Sequence, residues 1–199
     1  PDPIHPSDPR PNGRTGVCHV GGYVIATTRR TKSAVRLAMP SRFARQPLVV
    51  TASHDQTARV WRLDDGTHVG TLKGHVGHVT SACVSPDGVH VVTGSADETV
   101  LVWQTSDGAL VRALVGHSDE VTSVCMDPGG AQIVSASRDA TARVWRLADG
   151  AHLRTLAGHA RSVNSVCVSP DGAHVVSGSQ DSTACVWRLI DGGRARILE

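Results

Sequence analysis

Along most of the chain, apolar residues come in short runs interleaved with polar ones, and every run ends at a turn signal. One stretch shows the pattern. Residues 79–84 (VTSACV) precede Ser85-Pro86-Asp87-Gly88, and 89–95 (VHVVTGS) precede Ala96-Asp97-Glu98. Residues 99–103 (TVLVW) then precede Ser106-Asp107-Gly108, and 109–114 (ALVRAL) close the unit. Val- and Thr-rich runs suit pleated, half-buried surfaces, and Pro, Asp and Gly supply the turn geometry between them. Runs of at most about ten residues are marginal for a helix. The stretch therefore predicts four short strands.

The pattern recurs at a fixed interval. Trp61, Trp103, Trp145 and Trp187 are 42 residues apart, and so are the Gly-His pairs at 74/75, 116/117 and 158/159. Laid over one another without a gap, residues 74–115, 116–157 and 158–199 are identical at 17 of 42 positions. This is an internal repeat, the mark of an architecture built from stacked units. Residues 48–73 hold the end of an earlier unit: Thr51, Asp55 and Trp61 are in register, but Ser33 stands where its histidine is due and no Gly precedes it.

A four-stranded unit of this length, with Gly-His near its start and Trp 28 residues after that His, resembles the WD-repeat (tryptophan-aspartate repeat) β-propeller family. The resemblance covers residues 48–199. It implies an all-β fold of propeller blades, each of four antiparallel strands, with three complete repeats plus one partial and so an incomplete propeller. The residue after Trp, Asp in the family's name, is Arg62, Gln104, Arg146 and Arg188 here. That position lies at a strand end and varies in such repeats.

The resemblance further implies a buried hydrogen-bonded set in each blade. The sets are His75/Thr93/Asp97/Trp103, His117/Ser135/Asp139/Trp145 and His159/Ser177/Asp181/Trp187, with the same internal spacings of 18, 4 and 6. Buried together, an imidazole, a hydroxyl, a carboxylate and an indole N–H satisfy one another, whereas each alone would cost about 1 to 3 kcal/mol. A Ser-His-Asp triad uses the same residue types. A nucleophile, however, is needed once and beside a cleft, while a set present in every unit serves every unit. No catalytic residue is assigned, and the first unit, lacking the histidine, is expected to pack its outer part less firmly.

In this family the exposed top-face positions are the third and fifth residues after the Gly-His histidine and the residue before the turn Asp. Carried over, they are His78, Thr80 and Ala96; Glu120, Thr122 and Arg138; Ser162, Asn164 and Gln180; and His54 from the partial unit. They differ between units while the frame around them does not, as expected of positions that face a partner. Glu120 and Arg138 are the only formal charges among them, and a nucleic-acid groove needs a basic stripe. A protein or peptide partner is expected, without nucleic acid or membrane. Arg112, Arg154 and Arg196 recur on the fourth strand, where they suit a solvated edge that discourages edge-to-edge pairing.

Composition adds a boundary. The net charge of +2 is the sum of a basic arm, residues 1–46, with seven Arg and Lys32 against Asp2 and Asp8, and a mildly acidic remainder. Seven of ten prolines fall in residues 1–47. The domain reading is thus a basic, Pro/Arg-rich, loosely ordered non-repeat segment at 1–47, a partial repeat at 48–73, and repeats at 74–115, 116–157 and 158–199. Within the arm, GGYVIATTRRTKSAVRL is compatible with a strand pair. Cys83, Cys125 and Cys167 recur at the repeat period as small core residues, and no C-x-x-C pair occurs, so neither a metal nor a cofactor is expected. An odd count of five cysteines favours a reducing compartment, cytoplasmic or nuclear.

These observations point to a non-catalytic interaction scaffold. The alternative is the regulatory or sensor region of a larger multidomain signalling enzyme, an ATPase or kinase, whose catalytic domain lies outside these residues. No G-x-x-x-x-G-K-[ST] loop occurs here. The absent initial Met and the final unit ending in register suggest a fragment, with open blade faces prone to self-association.

Overall fold

The computed structural model describes residues 47–199 in full and, before them, the backbone of three strands. Among the described residues every regular element is a strand. In chain order these are β1 (His19–Val20), β2 (Tyr23–Thr28), β3 (Ser33–Leu37), β4 (Leu48–Ala52), β5 (Thr57–Arg62) and β6 (His68–Lys73), which form one sheet in that order. The second sheet holds β7 (Val79–Val84), β8 (His90–Ser95), β9 (Val100–Gln104) and β10 (Leu110–Leu114). The third holds β11 (Val121–Met126), β12 (Gln132–Ser137), β13 (Thr141–Arg146) and β14 (His152–Ala157). The fourth holds β15 (Val163–Val168), β16 (His174–Ser179), β17 (Ala184–Arg188) and β18 (Arg194–Leu198). All pairings within these sheets are antiparallel.

Short polar side chains close the turns. Between β7 and β8, the Ser85 hydroxyl donates to Asp87 Oδ1 at 2.6 Å and accepts from the His90 N–H at 2.8 Å. Between β8 and β9, Asp97 Oδ1 accepts from both the backbone N–H and the hydroxyl of Thr99, at 3.1 and 2.6 Å. The residue between that Asp and Thr is held in the left-handed region, with φ of 70°, 70°, 66° and 70° at Gln56, Glu98, Ala140 and Ser182. Hydrogen bonds donated to an Asp by the backbone N–H two residues on are a local alternative to strand pairing, and they fix where each hairpin bends.

The core lies between sheets rather than within one. Cys83, Val92, Val100, Val102 and Leu114 of the second sheet face Val121, Val124, Met126, Ile133 and Trp145 of the third. Cys125, Val134, Ala136, Ala142, Val144 and Leu156 of the third face Val163, Val166, Val175, Cys185 and Trp187 of the fourth. The second, third and fourth sheets thus turn their Trp toward the sheet before them. The sheets pack in sequence as β-propeller blades in an open arc.

The first sheet departs from the repeat at its inner edge. Val35 pairs with Thr51, as Ala82 pairs with Thr93 and Val124 with Ser135. A 42-residue step back from Ala82 falls on Pro40, so the chain reaches this inner strand out of frame. β2 and β3 form the antiparallel pair compatible with GGYVIATTRRTKSAVRL, and β2 extends the sheet beyond β3. The expectation of a loosely ordered segment at 1–47 otherwise falls outside the described residues, as does Cys18.

Candidate functional site

Two sets of polar side chains stand out, one buried inside each repeat and one along an exposed rim. The buried sets have one geometry. His75 places Nδ1 2.8 Å from Asp97 Oδ2 and Nε2 2.8 Å from Thr93 Oγ1, and the Trp103 indole donates to the same Thr93 oxygen at 2.8 Å. His117, Asp139, Ser135 and Trp145 repeat this at 2.7, 2.8 and 2.9 Å, and His159, Asp181, Ser177 and Trp187 at 2.8 Å throughout.

Donor counting fixes the direction of each chain. An ionised Asp only accepts, so Nδ1 carries the proton and Nε2 of a neutral imidazole must accept. The hydroxyl then accepts from the indole and donates to the histidine, leaving no buried donor unmatched. Burial drives the His75 and His117 rings below the usual histidine range, outweighing the hydrogen bonds they donate to Asp97 and Asp139, which favour the charged form. Burial raises the Asp97 and Asp139 carboxyls. Hydrogen bonds from Thr99 and His75, and from Thr141 and His117, outweigh it and hold both below the usual carboxylate range.

The Gly of each Gly-His pair has a steric reason. A Cβ on Gly74 would stand 2.9 Å from Trp103 Cη2, and on Gly116 3.1 Å from Trp145 Cη2. The backbone passes against the indole edge, and any side chain there would displace the histidine from the relay. The catalytic alternative fails on access: the Thr93, Ser135 and Ser177 hydroxyls lie beneath the indoles, at 0%, 0% and 1% exposure. Among the described residues no three of His, Cys, Asp and Glu stand together as a metal cage requires.

The rim runs along the turns that follow each Gly-His pair. The His78 ring stacks on His54 with centroids 4.4 Å apart and donates from Nδ1 to the His54 carbonyl at 2.5 Å. The Ala96 N–H donates to the His78 carbonyl, the Arg138 N–H to that of Glu120, and the Gln180 N–H to that of Ser162. Arg138 also pairs with Glu120 at 3.0 Å, and the Ser162 hydroxyl reaches the Arg138 carbonyl at 3.4 Å. His78, Arg138, Asn164 and Gln180 are exposed, while His54, Ala96, Glu120 and Ser162 are half-buried.

Thr80 and Thr122 have a different environment. The Thr80 hydroxyl bonds the Val121 carbonyl and the Thr122 hydroxyl the Val163 carbonyl at 2.5 Å, each spanning to the following sheet. Two further groups were missed by sequence reasoning. The Ser81 and Ser123 hydroxyls accept from the N–H groups of Val124 and Val166 across the same junctions, at 3.1 and 3.4 Å. Their recurrence in the frame was the available signal. Arg112 corrects the expectation of a solvated edge: half-buried, it donates to the carbonyls of Leu147 and Ala148 on the next sheet.

With this geometry in place, the comparisons are direct. A family model described as WD domain, G-beta repeat, matches residues 66–104, 108–146 and 150–188. The chain belongs to the WD-repeat family. Among curated proteins, ribosome assembly protein 4 of Chaetomium thermophilum is 49% identical over 43 residues, which is 22% of this chain and 8% of that protein. The chain therefore spans a small part of that relative's length, about one repeat. Among the described residues, no helix is long and apolar enough to cross a membrane.

Proposed function

We propose that this chain is a non-catalytic scaffold that holds a protein or peptide partner along the rim formed by His54, His78, Ala96, Glu120, Arg138, Ser162, Asn164 and Gln180. The observation that carries this reading is the division of labour in each repeat. The polar residues common to the units are turned inward and satisfy one another, while those that differ are gathered on one connected edge. A rigid frame presenting variable side chains from several turns is how loops on a fixed scaffold achieve recognition. Thr80 and Thr122 join this rim through their positions, with hydroxyls that also tie adjacent sheets together.

The relative's name speaks of ribosome assembly; shared over one repeat, it supports an assembly role as a class for this chain, not a particular pathway. We place its work in a reducing compartment, cytoplasm or nucleus. The test is affinity capture from a lysate of the source cell, comparing the unaltered chain with Glu120→Ala, Arg138→Ala and Gln180→Ala. The proposal requires a partner that is retained by the unaltered chain and lost from the rim variants while their melting temperatures stay unchanged. Equal capture by all four chains overturns the rim assignment.

A further inference from the structure

We propose that the junction of the third and fourth sheets holds a second docking site, at the end of the strands opposite the rim, which takes an acidic side chain of an extended peptide segment through Arg154. The place is a cavity of about 490 Å³ whose lining includes Gln132, Arg154, Ala173, Arg188, Leu189 and Ile190. Its walls are the turns from β15 to β16 and from β17 to β18, whereas the rim uses the turn from β16 to β17 and the Gly-His ends. The volume is within the range of about 300 to 1,000 Å³ found for ligand pockets.

The junction of the second and third sheets shows what is different here. There an equivalent cavity of about 440 Å³ has Arg112 in the place of Arg154 and Ala148 in the place of Ile190. The two arginine stems lie alike: a Cβ on Gly150 would stand 3.4 Å from Arg112 Cδ, and one on Gly192 3.3 Å from Arg154 Cδ. The heads do not. Arg112 donates from Nε and Nη2 to the carbonyls of Leu147 and Ala148. Arg154 makes no such bond to Leu189 or Ile190, and its Nη1 is buried without an acceptor. Gln132, on the same wall, has Oε1 buried without a donor. Buried polar groups are nearly always paired, so an orphaned donor and an orphaned acceptor in one cavity call for a ligand carrying the complement of each.

The neighbouring carboxylates are engaged elsewhere. Asp191 pairs with Arg188 at 2.7 Å, and Asp171 Oδ1 accepts from the Ser169 hydroxyl and from the Ala173 N–H. Among the described residues Arg154 is thus a half-buried cation without an anion, and a carboxylate is the group its planar fork matches in two parallel bonds. Two features select a peptide over a free acid. A backbone N–H beside the acidic side chain supplies the donor that Gln132 lacks, and Leu189 and Ile190 offer an apolar wall to a following aliphatic side chain. Ile190 is 79% exposed and forms the mouth. Ser106 and Ala148 are exposed at the same turn position although a further sheet follows each of theirs, so the mouth does not depend on where the chain ends.

The test is titration of the folded 199-residue chain with the blocked peptide acetyl-Gly-Glu-Leu-Gly-amide, its Gln counterpart and acetate, read by the magnetic resonance signals of the arginine side-chain N–H groups. The Glu peptide should bind and shift the Arg154 signal, while the Gln peptide and acetate should bind at least tenfold more weakly. Arg154→Met, which keeps the stem, should weaken the Glu peptide at least tenfold. Ile190→Glu, which adds a like charge at an exposed position outside the core, should do the same, and Glu120→Gln on the rim should change nothing. No binding of the Glu peptide, equal binding of the Gln peptide, or indifference to either Arg154→Met or Ile190→Glu overturns the proposal. Acetate binding as tightly as the Glu peptide overturns the choice of a peptide occupant. All these outcomes leave the rim assignment to its own test by partner capture.

Discussion

The first and third sheets hold the same hairpin chemistry in their outer strands, and where the third has His117 the 42-residue frame of the first puts Ser33. In both, an indole donates to a hydroxyl on the neighbouring, preceding strand, Trp61 to Thr51 of β4 at 3.1 Å and Trp145 to Ser135 of β12 at 2.9 Å. In both, an Asp closes the following turn by accepting from a Thr two residues on. In the third sheet His117 joins hydroxyl to carboxylate, and the Asp139 side chain is 7% exposed. In the first, Asp55 is 46% exposed and pairs instead with Arg59 on the surface. The indole bond and the Asp turn are local and survive alone. Burying the carboxylate requires a donor from inside, and that is what the Gly-His pair adds.

If so, His117→Ala should carry the largest penalty, about 3 kcal/mol, because it opens a cavity and leaves the Asp139 carboxylate with one partner fewer in a buried site. Chemical denaturation of the folded chain measures it; a loss comparable to a surface substitution would mean the relay stabilises nothing. The matched Asp substitutions sharpen the contrast. Asp139→Ala should cost about 2 kcal/mol, since the imidazole N–H loses its acceptor in a buried site, while Asp55→Ala should stay within about 0.5 kcal/mol, as expected of an exposed pair. Equal costs at the two sites would remove the distinction between the sheets.

Acidification titrates the same difference with a smaller effect, since it charges groups rather than deleting them. The folded-state values of His75 and His117 lie below the ordinary 6.5, so below about that pH the unfolded chain takes up protons that the folded chain does not. Stability is present above 6.5 and falls as pH drops through it toward the folded values. Asp97 and Asp139 add stability above their ordinary 3.8 that is lost at still lower pH. Among the described residues, no histidine bonds Asp55 or Thr51 in the first sheet. Hydrogen exchange of the indole N–H groups should therefore show protection of Trp103 and Trp145 declining as pH falls below about 6.5 while that of Trp61 changes little. Parallel decline at all three would contradict the assignment.

The sequence made much of this frame legible because each signal sits where a backbone constraint forces it. Trp, turn Asp and Gly-His recur at fixed spacing, since strand length and hairpin register leave no slack. A strand pair in GGYVIATTRRTKSAVRL was legible, but its attachment to the first sheet was not. Strand pairing is made by backbone groups that carry no residue signature, and Val35 reaches Thr51 from outside the 42-residue frame. The dual role of Thr80 and Thr122 was hidden for a related reason: a position near the rim does not tell whether a hydroxyl points to solvent or to the carbonyl of the next sheet. Arg112 misled through its strand, because an outermost strand is an edge only until the next sheet's turn comes within reach of a long side chain.

The smallest effect belongs to the rim. Glu120 is half-buried yet pairs with an Arg138 side chain that is 51% exposed, and exposed ion pairs contribute about 0 to 1 kcal/mol. Glu120→Ala should therefore move the stability of the third sheet by less than about 0.5 kcal/mol, far below His117→Ala in the same sheet. Its backbone carbonyl still receives the Arg138 N–H, so the turn keeps its shape and only the outward chemistry changes. Partner retention should fall in this variant and recover on Glu120→Gln only if shape and hydrogen bonding, rather than charge, are recognised. A stability loss as large as that of His117→Ala would place Glu120 in the frame and take it off the recognition surface.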